Sequence, residues 1–328
     1  MPLEIVPLRD KHLEDAAALV SAGYRELRER APSLPSRYED VSSILPLLRD
    51  LAGQVPGVVA MQGGHLAGFL LGMVLPDFRG KRSVYSPEWA NAADAEDSGE
   101  TYREMYARLS ARWVANGCLI HVITLLAHDR EAMDAWHWLG FGLTTVDAIR
   151  DLTPVQGTSA DIQIRRAGLE DIEEVIVLDQ ALQRHLVAAP IFVIEEHGRE
   201  FYEQWLANSA NVLWLAYRGG EAVAGMGLEP SSPEACYIIR DDKTTSITSA
   251  FTRESERNKG IGTALLNHSL DWARSVGYER CAVDFEPQNI PAARFWLRHF
   301  QPVCYSLIRH VDERVAWAHE KREDKELW

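Results

Sequence analysis

One spacing of residues occurs twice in this chain. An Asp or Asn is followed three positions later by Ala and four positions after that by Trp. The first copy is Asp129, Ala132 and Trp136, and the second is Asn289, Ala292 and Trp296. The tripeptide Leu-Glu-Asp recurs in the same order, at 13–15 and again at 169–171. Both tryptophan patterns follow an apolar strand-like run, and both runs follow an amphipathic segment that ends in glycine. Constant order at a nearly constant offset indicates a duplicated domain.

The duplication sets the predicted domain boundaries. A chain of 328 residues is long enough for two ordinary domains. The run at 153–161 contains Pro, Gly, Thr and Ser and is typical of a linker. We therefore predict an N-terminal domain over 1–152, a C-terminal domain over 162–316 and a charged tail over 317–328. In the second half a strand meander that turns at Gly219-Gly220 precedes alternating helices and strands, which predicts an α/β fold with a mixed sheet.

Composition excludes several classes of function. Acidic residues outnumber basic ones by 48 to 34 and no basic stripe is visible, which argues against a nucleic-acid partner. No apolar run approaches the roughly 18 residues of a membrane span, and the N-terminus has no signal layout, so we expect a cytoplasmic protein without a membrane partner. The four cysteines form no Cys-x-x-Cys pair, and three of them sit in strand-like apolar runs, where we expect buried free thiols. The histidines show no metal-ligand spacing, so we expect no metal.

The loop before the last long helix of the second half has the sequence RNKGIG, residues 257–262. From Ile261 onward the apolar residues share one helical face. The first turn carries glycines instead of a Ser, Thr or Asp cap, so a ligand can approach the backbone amides directly. Unpaired amides at a helix N-terminus favour an anion, and phosphate in particular. The loop matches neither the nucleoside-triphosphate loop nor the dinucleotide fingerprint.

These six residues resemble the R/Q-x-x-G-x-G/A acyl-CoA signature of the GCN5-related N-acetyltransferases, the GNAT superfamily. A strand-like run before the loop, the amphipathic helix after it and the Asn289 pattern further on agree with that family. The resemblance covers about 160–315 well and the first half more loosely. It implies two tandem GNAT domains, each with a mixed, centrally splayed β-sheet flanked by helices.

The resemblance also implies which residues contact the co-substrate, acetyl-CoA. In such proteins the loop amides hold the CoA pyrophosphate, a splayed strand pairs with the pantetheine arm, and an asparagine bonds to that arm. The positions of this sequence that match are Phe251, Thr252, Arg257, Asn258, Lys259, Gly260, Ile261, Gly262, Thr263, Asn289 and Trp296. Arg257 and Lys259 can add positive charge at the phosphates or remain solvated loop charges.

The match is weakest at the catalytic groups. Trp296 occupies the position where the family often has a tyrosine that protonates the departing thiolate, and an indole cannot act as an acid near neutral pH. Solvent, or Tyr305, is the alternative, although we expect Tyr305 to be a plain strand aromatic. Candidate general bases are Glu229, Asp284 and Glu286, because carboxylates can accept the proton of an ammonium nucleophile. We expect Glu254 and Glu256, in the phosphate-side loop, to point outward.

The first copy departs from the pattern at the cofactor loop. The corresponding segment has no Gly-x-Gly and carries carboxylates at Asp94, Glu96, Asp97 and Glu100. Negative charge there opposes a diphosphate. We predict that this domain kept the fold and lost or altered the cofactor site.

The expected function is an acetyl-CoA-dependent N-acetyltransferase that acts on a primary amine by direct attack. The amine is a small molecule or a protein amine, and the sequence leaves open whether the protein is a monomer or a dimer. Alternatives within enzymes are a relative of mycothiol synthase, which is similarly tandem and acetylates an amino sugar, and an aminoglycoside-type enzyme. A non-catalytic acyl-CoA-binding or sensing module is the alternative from another class, which Trp296 favours.

Overall fold

The computed structural model of the chain describes residues 2–94, 97–157, 161–194, 197–233 and 235–315. Its contacts divide it into two compact units. Unit 1 consists of the described residues within Met1–Val146, Cys236–Ile238 and Pro302–Trp328, and unit 2 consists of those within Asp147–Ala235 and Ile239–Gln301. The units are therefore not contiguous in sequence. The predicted boundaries around 153–161 delimit the two sequence copies and stay a prediction.

Unit 1 carries two sheets and four helices among its described residues. Its elements are β1 (Leu3–Pro7), α1 (Leu13–Arg30), α2 (Val41–Ala52), β2 (Gly57–Gln62), β3 (His65–Leu71), β4 (Met73–Phe78), β5 (Lys81–Ser86), β6 (Asn91–Ala93), α3 (Ser98–Ala115), β7 (Ile120–Leu126), α4 (Arg130–Trp138), the start of β8 (Gly142–Asp151) and nearly all of β14 (Gln301–His310). One sheet has the order β1-β2-β3-β6, and the other contains β4-β5-β7-β14. Met105 of α3 and Trp136 of α4 are fully buried in a core cluster that includes residues of both sheets.

Strand β14 lies near the end of the second sequence copy but belongs to unit 1. It pairs antiparallel with β7 of unit 1, with Tyr305 opposite Leu125. Tyr305 packs against the hydrophobic core of unit 1, which confirms its interpretation as a strand aromatic. In return, Asp147–Asp151 at the end of β8 belong to unit 2.

Unit 2 has one main sheet. Its remaining elements are β9 (Gln163–Arg166), α5 (Ile172–Leu186), α6 (Arg199–Ala207), β10 (Val212–Arg218), β11 (Glu221–Pro230), β12 (Thr244–Thr252), α7 (Ile261–Ser275), β13 (Arg280–Phe285) and α8 (Ile290–His299). The strand order is β13-β12-β11-β10-β9, in which β12 and β13 are parallel and the other pairs are antiparallel. Gly219 and Gly220 both have positive φ in the β10–β11 turn, as the hairpin prediction requires.

Period-2 alternation along β10 gives the sheet two different faces. Leu213 and Leu215 pack with Val175 and Leu178 of α5. Trp214 points to the opposite face, where its ring meets His268 of α7 edge-on at 4.3 Å. Helices therefore cover both faces, and the predicted mixed α/β architecture is confirmed.

Two further expectations concern particular residue types. All four cysteines are buried, and none of them forms a disulfide. Within the described residues, no helix is both long and apolar enough to cross a membrane. The predicted tail at 317–328 lies outside the described residues.

Candidate functional site

Strands β12 and β13 separate part-way along their length. Their parallel register runs from Thr244 opposite Arg280 to Ile247 opposite Val283. Strand β12 continues to Thr252 and stays paired with β11, after an irregularity that leaves Thr248 without a register partner. From Thr248 to Thr252, one edge of β12 therefore has no strand beside it among the described residues. This edge includes Phe251 and Thr252, and its backbone groups can pair with an extended ligand.

The N-terminus of α7 begins directly beyond that edge. Its N-cap is Gly260 at φ 80°, and no side chain caps the helix. The first intrahelical bond runs from the Ala264 amide to the Gly260 carbonyl, so the amides of Ile261, Gly262 and Thr263 precede the helical hydrogen-bond ladder. A left-handed N-cap without a side chain leaves these donors accessible to an anion.

The two glycines of the loop serve different purposes. Gly260 and the preceding Asn258 both adopt positive φ, at 80° and 62°. Gly262 has ordinary helical φ, and a Cβ there would meet the Phe295 ring at 3.4 Å, an ordinary contact. The conformational requirement for glycine thus lies at Gly260.

The described part of the linker fixes the same helix. The Val155 amide donates to Asn267 Oδ1 at 2.7 Å, and Asn267 Nδ2 donates to the Val155 carbonyl at 2.9 Å. Gly157 also packs against this helix, because a Cβ placed on Gly157 would lie 2.4 Å from Thr263 Cγ2. The linker therefore orients the first turns of α7, where the anion-binding amides lie.

The charged side chains of the loop are mostly engaged within the loop. Arg257 Nε donates to the Thr252 carbonyl at 3.2 Å, and its guanidinium lies 5.8 Å from the centre of the Phe251 ring. These contacts tie the loop to the end of β12. Glu254 is exposed, as expected.

Glu256 differs from its expected outward orientation. Its side chain is only 16% exposed and forms ion pairs with Arg218 and with Lys259, the latter at 3.1 Å. Two neighbouring cations offset the cost of partial burial, which the sequence could not indicate because Arg218 lies on β10. Lys259, beside the helix N-terminus, is thereby held in an ion pair within the loop.

Asn289 and Trp296 have clear structural roles. Asn289 is 8% exposed, and its Oδ1 caps α8 by accepting from the Ala292 amide at 3.5 Å. The same oxygen lies 3.2 Å from His185 Nε2 of α5. Trp296 is 5% exposed, and its ring packs edge-on against Phe300. Both contacts of the Asn289 side chain involve Oδ1, so Nδ2 is the group available to a ligand, whereas Trp296 is held in the core.

The three candidate bases are all half-buried, and two of them share a face of the sheet. Glu229 lies opposite Ser246, which lies opposite Ala282 on β13. Asp284 follows Ala282 by two residues, so it points to the same face as Glu229. Asp284 also directly follows Val283, the last residue of β13 that pairs with β12, so it lies where these two strands separate. Glu286 lies after the end of β13, and its carbonyl accepts from the Asn289 amide at 3.0 Å.

A buried carboxylate that the sequence reading missed lies on the same face. Asp179 of α5 is 8% exposed and accepts from the Tyr202 hydroxyl of α6 at 2.5 Å. Both residues line a cavity of about 40 Å³ that also reaches Ser249 and Phe251 of β12. The available signal was an acidic residue on the apolar face of the helix, one turn after Val175.

Comparison with known proteins supports the same interpretation of this region. The model of the acetyltransferase (GNAT) family matches residues 179–300. This segment is a GNAT domain. No curated protein sequence matches the chain.

Solved structures extend the similarity of fold to both units. A GCN5-related N-acetyltransferase from Sphaerobacter thermophilus is 15% identical, with 94% of this chain and 95% of that chain covered at a TM-score of 0.53. A GCN5-related glucosamine N-acetyltransferase region of a fungal multi-domain GH3 β-N-acetylglucosaminidase is 14% identical, at a TM-score of 0.50. The match covers 94% of this chain and 38% of that longer protein. At these identities the likeness concerns the fold, and it agrees with two tandem GNAT-like domains.

The matching helix in unit 1 is α3, and its N-terminus differs in chemistry from that of the GNAT domain. A Cβ at Gly99 would lie 3.6 Å from Ala135, just as one at Gly262 would meet Phe295, and these partners are equivalent in the sequence repeat. The Glu131 carboxylate covers Gly99, with Oε1 3.2 Å from the same Cβ position. The chain thus places a carboxylate of its own beside the first turn of α3, where its negative charge opposes an anion. Among the predicted acidic residues, Glu96 lies outside the described residues.

In unit 1, a hydrogen-bond network around Asn91 lies at the position that corresponds to the open edge of β12. The strand equivalent to β12 is interrupted between β5 and β6. Asn91, at the start of β6, donates from Nδ2 to the Thr124 carbonyl of β7 at 3.1 Å and to the Pro87 carbonyl at 2.9 Å. Its Oδ1 accepts from the Tyr102 hydroxyl at 3.0 Å. This buried network spans the gap that an extended ligand would otherwise enter.

Proposed function

We propose that the GNAT domain of unit 2 binds acetyl-CoA and transfers its acetyl group to a primary amine. The observation that carries the proposal is the open edge of β12 from Thr248 to Thr252, followed directly by the uncapped N-terminus of α7. An extended pantetheine arm would pair with the edge as a further strand, and the diphosphate would accept from the amides of Ile261, Gly262 and Thr263. In unit 1 the Asn91 hydrogen bonds span the corresponding strand gap, and the Glu131 carboxylate covers Gly99 in the first turn of α3, so one cofactor site per chain is expected.

The proposed transfer is direct. The amine nitrogen attacks the thioester carbonyl carbon, a C–N bond forms, and collapse of the tetrahedral intermediate breaks the C–S bond. An ammonium acceptor loses one proton to a base before attack, and the second proton passes from nitrogen to the departing thiolate. The products are the amide, CoA thiol and a proton on the base, so no covalent enzyme intermediate is needed.

Asp284 is the carboxylate best suited to the role of base, with Glu229 next. Asp284 lies where β13 leaves β12, on the face shared with Glu229. A base has to lie within hydrogen-bond reach of the nucleophile, directly or through one water, and the mouth of the splay is where the thioester would lie. Glu286, beyond the strand end, is the third candidate. Trp296 supplies no acid, so the amine proton is the natural source for the thiolate.

The acceptor is proposed as an amine of a small molecule or protein, met in the cytoplasm. The fungal relative's name specifies glucosamine, which makes an amino sugar one candidate here, as does the mycothiol-synthase-like alternative. A non-catalytic acyl-CoA-binding module is the second candidate function. The observation in its favour is the burial of Trp296 at the position where the family often has an acid.

Calorimetric titration of acetyl-CoA, paired with a thiol-release assay across a panel of amines, tests the proposal. We expect one site per chain and amine-dependent release of CoA thiol. Binding of acetyl-CoA without thiol release for any amine would favour the non-catalytic alternative. Absence of acetyl-CoA binding would contradict the proposed function altogether.

A further inference from the structure

The cavity beside β12 combines an aliphatic wall with one carboxylate. Leu178 and Leu182 of α5 and Leu215 of β10 line its apolar side. Asp179 lies between the two leucines in sequence, and its side chain belongs to the same lining. The cavity measures about 40 Å³, room for roughly three water-sized groups.

The hydrogen bonds of Asp179 leave its negative charge uncompensated. Oδ1 accepts from the Tyr202 hydroxyl at 2.5 Å and from Gln183 Nε2 at 3.3 Å, both neutral donors. Both hydrogen bonds described for Asp179 end on Oδ1, and its described contacts include no ion pair with a cation. Asp171, at the start of the same helix, shows the contrast, because Arg165 holds both its oxygens at 2.7 and 2.6 Å.

A carboxylate that is 8% exposed is costly without a cation or several donors. The free lone pairs of Oδ2 and the adjoining space therefore suit a ligand that brings positive charge and N–H donors. The leucines that complete the wall suit carbon atoms next to that charge. A hydrocarbon tail of an acyl group would instead bury the carboxylate against carbon, which makes it the wrong occupant.

We propose that Asp179 binds the ammonium group of the acceptor, and that the acceptor class is an unbranched aliphatic primary amine, or the aliphatic amine end of a larger molecule. The inference rests on the proposed function for the chemistry that follows binding. The cavity reaches Ser249 and Phe251 on the β12 segment that has the open edge, so an amine entering there would lie next to the expected pantetheine path. Tyr202 is a positioning residue that orients the carboxylate.

Binding of n-propylamine near neutral pH, measured by saturation-transfer NMR or calorimetry with and without acetyl-CoA, tests this inference. We expect wild type to bind n-propylammonium, to bind tert-butylammonium at least tenfold more weakly because of its shape, and to bind n-propanol at least tenfold more weakly because it carries no charge. Asp179→Asn should weaken n-propylamine at least tenfold. Glu173→Gln, which removes an exposed carboxylate from the same helix, should leave binding unchanged.

The outcomes separate this inference from the proposed function. Equal binding of n-propanol and n-propylamine, or unchanged binding in Asp179→Asn, would overturn the role of Asp179 while acetyl-CoA binding stood. Asp179-dependent binding of n-propylamine without acetyl-CoA binding would keep the ammonium site and reject the transferase. If Asp179→Asn does not fold, Leu182→Phe replaces it as the test. This variant fills the cavity and should abolish n-propylamine binding while acetyl-CoA still binds.

Discussion

The N-termini of α3 and α7 have nearly the same backbone and opposite chemistry. Each begins at a residue in the left-handed region, Asp97 at φ 64° and Gly260 at φ 80°. Above α3 lies the Glu131 carboxylate, whereas Pro291, which cannot carry charge, stands at the equivalent repeat position in unit 2. The comparison teaches that a duplicated fold can keep the backbone of an anion-binding helix N-terminus while the side chains around it come to oppose an anion.

The largest expected effect comes from Gly260→Val. A β-branched residue at φ 80° is strained by about 1–2 kcal/mol, and its side chain blocks the bare amides, so we expect acetyl-CoA affinity to fall at least a hundredfold. Asparagine tolerates positive φ, so Gly260→Asn should lower acetyl-CoA affinity far less than Gly260→Val does. The matched change in unit 1, Asp97→Val, should leave acetyl-CoA affinity unaltered. Calorimetry on the three variants decides, and wild-type affinity in Gly260→Val would refute the anion-site assignment.

The second effect concerns a buried histidine of unit 1 and the pH dependence of the protein's stability. His121 is 1% exposed, lies 2.8 Å from the Tyr106 hydroxyl, and its Nε2 lies 3.1 Å from the Cys118 carbonyl. Burial first, and the nearby Arg309 charge, lower its pKa from 6.5 to about 4. The unfolded chain therefore binds the extra proton between these values, and stability falls as pH drops through that window.

Because of His121, we expect the free energy of unfolding to be about 2 kcal/mol lower at pH 5 than at pH 7. Urea unfolding of wild type and His121→Gln at both pH values measures the difference, and the variant should show a smaller pH dependence by that amount. Identical pH dependence in the two proteins would mean that burial leaves the pKa of His121 the same in the native and the unfolded chain.

A smaller effect is expected from Glu256→Gln in unit 2. The substitution releases Lys259 and Arg218 from their ion pairs beside the α7 N-terminus. Because partly exposed pairs are worth up to about 1 kcal/mol, acetyl-CoA affinity should rise by no more than about fivefold. The gain should shrink at high salt, which a titration series in NaCl checks. Weaker binding in Glu256→Gln would show that the carboxylate supports the loop more than it opposes the ligand.

The smallest expected effect is none at all, from Glu131→Gln in unit 1. Removing the charge over Gly99 should not create a second acetyl-CoA site, because Asn91 still bridges to the Thr124 carbonyl across the strand gap. Calorimetric stoichiometry should stay at one per chain. A second site in this variant would assign the loss of binding in unit 1 to Glu131 alone.

Local sequence patterns predicted most of the fold. The Gly219-Gly220 turn predicted the meander of β10 and β11, and the apolar face from Ile261 onward predicted α7. The partner of β14 could not be predicted, because strand pairing depends on long-range packing and β14 has the same local pattern whichever strand it joins.

The candidate site was predictable to the extent that it depends on backbone conformation. The glycine at 260 marks a left-handed N-cap, and the loop around it was identified from the sequence. Asp179 belongs to no motif, since its importance comes from burial and from Tyr202 on another helix. The orientation of Glu256 likewise depends on Arg218, a partner distant in sequence.

The placement of β14 in unit 1 has a consequence for how the protein is made. Unit 1 includes the first residues of the sequence but takes a strand from residues 302–310, so its β4-β5-β7-β14 sheet lacks a member until the ribosome has passed residue 310. Domain-by-domain folding from the N-terminus, the usual order during synthesis, cannot complete this unit. Until then β7 presents an unpaired edge, which exposes the nascent chain to non-native strand pairing and makes it a natural client for chaperones.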